Sequence, residues 1–154
     1  MGLVFANDLN LKLKVEDDCP VTEDDLLVSV RRKLSSLDIP VSTSGKSIYT
    51  IRIRAQCLGL PDGTVIYSGN LDLDVPVLLP STLASEDTGT APDFKVLPIW
   101  SAERFGSLGQ LPAKLQARAL FDEIDSILEN FNEMWQLSRA YSKDPARLSR
   151  IGKK

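Results

Sequence analysis

The run Tyr49–Leu79, YTIRIRAQCLGLPDGTVIYSGNLDLDVPVLL, decides the fold. Its odd positions Tyr49, Ile51, Ile53, Ala55 and Cys57 are apolar, while Thr50, Arg52, Arg54 and Gln56 between them are polar. After Pro61-Asp62-Gly63 the parity returns, with Val65, Tyr67, Leu71, Leu73, Val75, Val77 and Leu79 on one side and Ser68, Asn70, Asp72 and Asp74 on the other. Strand side chains alternate faces with period two, so this is a hairpin with one oily face that must be covered and one polar face. The turn chemistry agrees: proline presets the first turn angle, aspartate suits the second, and glycine takes the left-handed position of a bulged three-residue loop. That loop places Leu60 against Thr64 and Arg52 opposite Asp72, with Arg54 diagonal to Asp72 and Asp74 diagonal to Arg52. Facing opposite charges contribute about 0.2–1 kcal/mol each, so the ladder specifies register more than it stabilises.

Upstream, Leu9, Leu11, Leu13 and Val15 alternate with Asn10, Lys12, Lys14 and Glu16, which predicts a first strand with one buried face. Thr22 with Asp25 three residues on, and the acidic Glu23 and Asp24, mark a helix start. Leu26, Leu27, Val30, Leu34 and Leu37 form its apolar stripe, and the helix must end before Pro40. Ser42–Lys46 is a polar link. Downstream, Pro80–Asp93 reads as a mobile loop, and Phe94–Ala102 as a fourth strand that Pro98 assigns to an edge. Phe105–Leu111 reads as a glycine-containing link, and Pro112 as the first residue of a second helix. That helix carries Leu120, Ile124, Ile127, Leu128, Phe131, Met134 and Trp135 on one side, turns Asp122, Glu123, Asp125, Glu129 and Glu133 to water, and runs to about Ser138. The order β-α-β-β-β-α predicts an α+β two-layer sandwich: a four-stranded mixed sheet, its first two strands parallel through a right-handed crossover, with both helices on one face.

The chain has 154 residues, 43% hydrophobic and 25% charged, which suits one globular domain over 1–138. The remaining 139–154 form a basic, flexible tail: Arg139, Lys143, Arg147, Arg150, Lys153 and Lys154 stand against Asp144, a net of +5, leaving −8 on the body of a chain whose total is −3. Apart from Tyr141 no aromatic interleaves these cations, so no nucleic-acid partner is expected. No apolar run approaches the roughly 18 residues of a membrane-spanning helix. The start, Met1-Gly2-Leu3-Val4-Phe5, lacks the basic and apolar regions of a signal peptide, although a chain cut after such a peptide and given a new Met-Gly start reads the same.

There is no histidine. That removes the commonest general base, the Ser-His and Cys-His pairs and most zinc sites, and predicts a protein that is not an enzyme. Glu16, Asp17, Asp18, Glu23, Asp24 and Asp25 are the densest acids, but they lack the spacing of a calcium loop, so they read as a solvated strand end and a capped helix. Asp72 and Asp74 read as ionised partners of Arg52 and Arg54 rather than as a catalytic pair. Gly106-Ser107-Leu108-Gly109 lacks the Lys-Ser or Lys-Thr of a phosphate loop. No catalytic residue, metal ligand or cofactor is assigned. Parallel first and second strands bring Cys19 and Cys57 to the same end of the sheet, where either a disulfide or two half-buried thiols, the reading favoured from sequence, would fit. Trp100 and Phe105, on an edge strand beside a glycine-rich link, are candidate partner contacts. Trp135 either closes the core or leaves the last helix to pair with a twin, so the oligomeric state stays open.

The run Trp100–Gly109, the following helix with Asp125 and Phe131, the segment Leu34–Val41 and the strand Ile48–Ala55 together resemble uncharacterised bacterial proteins that are usually exported. The layout is also similar to small envelope lipoproteins and accessory domains, such as the lipopolysaccharide-assembly lipoprotein or the amino-terminal domain of the Tol-system propeller protein. The resemblance implies a periplasmic or exported, non-catalytic module that binds a protein partner. The surface expected to do so is the free sheet edge or the face bearing Arg52, Arg54, Asp72 and Asp74. Two rivals come from other classes: a carboxylate-dependent hydrolase built on the acidic cluster, and a cytoplasmic nucleic-acid-associated protein acting through the basic tail.

Overall fold

A computed structural model describes residues 8–78 and 94–143. The elements are β1 (Asn10–Val15), α1 (Glu23–Ser36), β2 (Thr50–Gly59), β3 (Val65–Leu78), β4 (Phe94–Ser107) and α2 (Ala113–Lys143). The four strands form one mixed sheet in the order β1-β2-β3-β4, with β1 parallel to β2 and the other neighbours antiparallel. Both helices lie on one face, as the element order implied.

The oily parity of the hairpin explains this arrangement. Tyr49, Ile51, Ile53, Ala55, Leu71 and Leu73 are buried against Leu26, Val30 and Leu34 of α1 and Ile124, Ile127, Leu128, Phe131 and Trp135 of α2. Each such aliphatic or aromatic side chain removed from water contributes about 1.5–3 kcal/mol, so the helices are held chiefly by their stripes. Trp135 is part of this core, edge-on to Tyr49 at 5.9 Å and stacked on Phe131 at 5.8 Å. A smaller cluster of Val21, Tyr67, Leu108 and Leu120 fills the hairpin-turn end. Gly69 lets α2 come close at the middle of β3, because a Cβ there would stand 3.1 Å from Ile124 Cδ1.

The ends of α1 follow local chemistry. Thr22 Oγ1 accepts from the Asp25 amide at 3.1 Å and its hydroxyl donates to Asp25 Oδ2 at 2.8 Å, so the aspartate braces the cap side chain. The helix is closed by Asp38, whose φ of 56° lets the Ile39 amide reach the Leu34 carbonyl at 2.9 Å and its own amide reach Ser35. Termination therefore comes two residues ahead of Pro40, and the proline only forbids resumption. The β2–β3 turn has Gly63 at φ 86°, Leu60 bonded to Thr64, and Arg52 in register with Asp72.

Three boundaries differ from the sequence expectation. Strand β4 continues to Ser107, so Phe105, Gly106 and Ser107 belong to the sheet rather than to a link. They pair with Ser68, Tyr67 and Ile66 of β3; earlier in the strand a bulge intervenes, where Leu73 pairs with Trp100 but Asp74 with Pro98, which leaves Ile99 over and switches the inward positions of β4 from odd to even. Helix α2 runs through Lys143, five residues past Ser138. Pro112 caps α2 instead of opening it, its carbonyl accepting from the Gln116 amide at 3.1 Å. The Pro80–Asp93 segment and residues 144–154 of the basic tail lie outside the described residues.

Candidate functional site: the outer face of the sheet

With both helices on one side, no described element covers the other. Register places its side chains in rows across the strands. One row is Lys12, Arg52, Asp72 and Ser101; the next is Lys14, Arg54, Asn70 and Glu103. Then come Gln56, Ser68 and Phe105, and last Leu58, Ile66 and Ser107. Cations therefore occupy β1 and β2, where Lys14 pairs at 3.7 Å with Glu16 just past the end of β1, and anions occupy β3 and β4.

The first row is built around Arg52. Its Nη2 donates to Asp72 Oδ2 at 3.0 Å and to Asp74 Oδ1 at 3.3 Å, while its Nε lies 3.2 Å from Asp74 Oδ2 without hydrogen-bond alignment. Asp72 accepts a further bond from the Ser101 hydroxyl at 2.6 Å. Asp74, in contact with the Arg52 guanidinium, is only 6% exposed. A carboxylate that deep depends on its cation, so removing Arg52 would leave a buried charge unpaired. Ser68 links the next rows by donating toward Asn70 Oδ1 and Glu103 Oε1, both at 3.2 Å. Arg54 has no ion-pair partner among the described residues; it lies between Lys14 and Asn70 rather than reaching Asp72. Phe105 is 82% exposed, and Leu58 and Ile66 beside it are exposed too, so an apolar patch ends the charged rows.

Of the residues singled out from sequence, Arg52, Arg54, Asp72, Asp74 and Phe105 share this face. Trp100 does not: it points into the helix layer, edge-on to Phe131 at 5.6 Å, because the bulge turns even positions inward. Sequence reading overlooked Ser101, Lys12, Lys14, Leu58 and Ile66 as members of the face. Leu58 and Ile66 had a signal, since they are apolar residues at even positions of the hairpin, where Thr50, Arg52, Arg54, Gln56, Ser68, Asn70, Asp72 and Asp74 are polar.

Cys19 and Cys57 are joined by a disulfide, S–S 2.02 Å and Cα–Cα 4.9 Å, in place of the two thiols favoured from sequence. It ties the loop after β1 to the far end of β2, next to Tyr67. Burial, with Glu123 accepting from its hydroxyl, pushes the Tyr67 phenol up to about 12. Glu123 is thus not simply turned to water. Nor is Asp125, which burial raises above the usual carboxylate range while Lys33 opposes the shift; Lys33 itself bonds Glu129 at 2.6 Å and is raised by it. Asp17, Asp18, Glu23, Asp24 and Asp25 face solvent, and no group of three or more acids or cysteines among the described residues is placed to hold a metal. A shallow groove of about 580 Å³ runs along Arg31, Ser35, Asp38 and the Pro40–Thr43 link, its charged rim exposed. Among the described residues no helix is long and apolar enough to cross a membrane.

No family model matches the chain, and no curated protein does. Among solved structures it is similar to a minor lipoprotein from Acinetobacter baumannii, at 17% identity over 89% of this chain and 97% of that one, with a TM-score of 0.39. A likeness at that level transfers no property.

Proposed function

We propose that this chain is a non-enzymatic, exported or periplasmic protein-interaction module that docks its partner on the outer face of the sheet. The observation that carries the reading is a bare sheet face with a pre-ordered charge network, Arg52 with Asp72, Asp74 and Ser101, ending in a phenylalanine 82% exposed. An exposed aromatic beside fixed polar groups supplies the anchor and the orienting contacts of a protein interface at small ordering cost. The Cys19–Cys57 disulfide supports the compartment, since such bonds persist in oxidising surroundings and are uncommon in the cytosol.

The test is site-specific photo-crosslinking in cells that export the protein, with the probe at Gln56 or Phe105 on the sheet face and at Arg118 on the exposed side of α2 as reference. Discrete protein adducts from the sheet-face positions, lost when Arg52 is replaced by glutamate and absent from Arg118, are expected. Equal labelling from all three positions, or none from the sheet face, would overturn the reading.

A further inference from the structure

We infer that the partner seated on this face is a second copy of the same chain, two sheets packing face to face about a two-fold axis parallel to the strands and midway between β2 and β3. This deepens the docking reading above and rests on it.

The charge pattern selects both the partner and the axis. A face with cations on one half and anions on the other fits its own copy if, and only if, the copy is turned so that the halves exchange. An axis along the strands does this. It lays β1 on the twin's β4 and β2 on the twin's β3, and it keeps each row on itself. Lys14 then meets the twin's Glu103, Arg52 the twin's Asp72, and Lys12 the twin's Ser101, while Leu58 meets Ile66 and closes the apolar end. Arg54, which has no ion-pair partner among the described residues, comes over Asn70 and within side-chain reach of Glu103 in the same row. The other in-plane axis, perpendicular to the strands, stacks every strand on its own twin and sets the Lys12, Lys14 and Arg54 stripe against itself. Like charges in contact reject that arrangement.

The size of the contact sets its strength. Four strands about 4.8 Å apart and about 30 Å of strand length give a face of about 600 Å² per copy. Stable complexes bury about 800 Å² per partner, so the dimer is weak and concentration-dependent, with Kd in the micromolar range or above. Because its orientation is set by charge, it also loosens with salt.

The experiment is sedimentation velocity of the oxidised full chain from about 5 to 500 µM at low and high salt, a range bracketing such a Kd. It is run on the unmodified chain, on Lys14→Glu, on Glu103→Lys, and on an equimolar mixture of the two variants. Both side chains are exposed, so each variant should fold, which circular dichroism checks. Reversible dimerisation of the unmodified chain is expected, weakened about tenfold or more in each single variant and restored in the mixture. In that mixed pair one protomer's Lys14→Glu position meets its partner's Glu103→Lys position, and the native pair meets at the other end. A monomer throughout the range overturns the inference. So does a dimer that ignores both charge reversals, or singles whose mixture stays apart. The docking reading is judged separately: sheet-face adducts that contain a different protein and never a second copy would sink the dimer and leave that reading standing.

Discussion

Breaking the Cys19–Cys57 bond has a consequence that can be worked from the fold. The bridge closes a sequence separation of 38 residues holding all of α1 and most of β2. In the chain-entropy account, releasing a loop of that length frees the unfolded ensemble by about 4 kcal/mol at 25 °C. Both cysteines are only half-buried, so their replacement by alanine adds little packing loss. The 121 described residues, at about 2 cal/mol/K each, give an unfolding entropy near 0.25 kcal/mol/K, which converts that loss to a fall in Tm of about 15 °C. The assay is urea and thermal unfolding of the oxidised protein, the protein under reductant, and the Cys19→Ala, Cys57→Ala and double variants. All four perturbed forms should fall together, with a larger denaturant dependence than the oxidised form, since their unfolded states expose more surface. Oxidised and reduced protein unfolding within about 1 kcal/mol of one another, or two thiols alkylating in protein never treated with reductant, would refute the reasoning.

Two further outcomes follow from the buried polar groups. Arg52→Met strands the Asp74 carboxylate and should cost about 1–3 kcal/mol in urea unfolding, whereas Arg52→Met with Asp74→Leu should recover most of it; equal losses would show that Asp74 does not depend on Arg52. Tyr67, held up to about 12, stays protonated in the folded chain after an unfolded phenol has ionised, so this group's contribution to stability is intact below pH 10 and is lost as pH rises from about 10 to 12. Absorbance titration near 295 nm (a general phenolate signal) should lose its latest-titrating tyrosine in Tyr67→Phe; an unchanged titration curve would contradict the assignment.

The hairpin made most of the architecture legible without coordinates. Strict period-two alternation over Tyr49–Leu79 fixes which residues are buried, and the Pro61-Asp62-Gly63 turn fixes register, so Arg52 against Asp72 could be read from residues alone. The two helical stripes likewise declare their buried sides, because periodicity is a local property of the chain. Tertiary structure alone decided three things. The bulge at Ile99 is set by how β4 must pair with a β3 of 14 residues, and it is this pairing that turned Trp100 inward and carried Phe105 onto the sheet. The choice between thiols and a disulfide depends on the distance between the ends of β1 and β2, which no local pattern encodes. The polarised outer face arises because lateral strand order brings Lys12 and Lys14 beside Arg52 and Arg54 and places Glu103 across from them; those neighbours are as far as 91 residues apart in sequence, and only the assembled sheet adds their fields together.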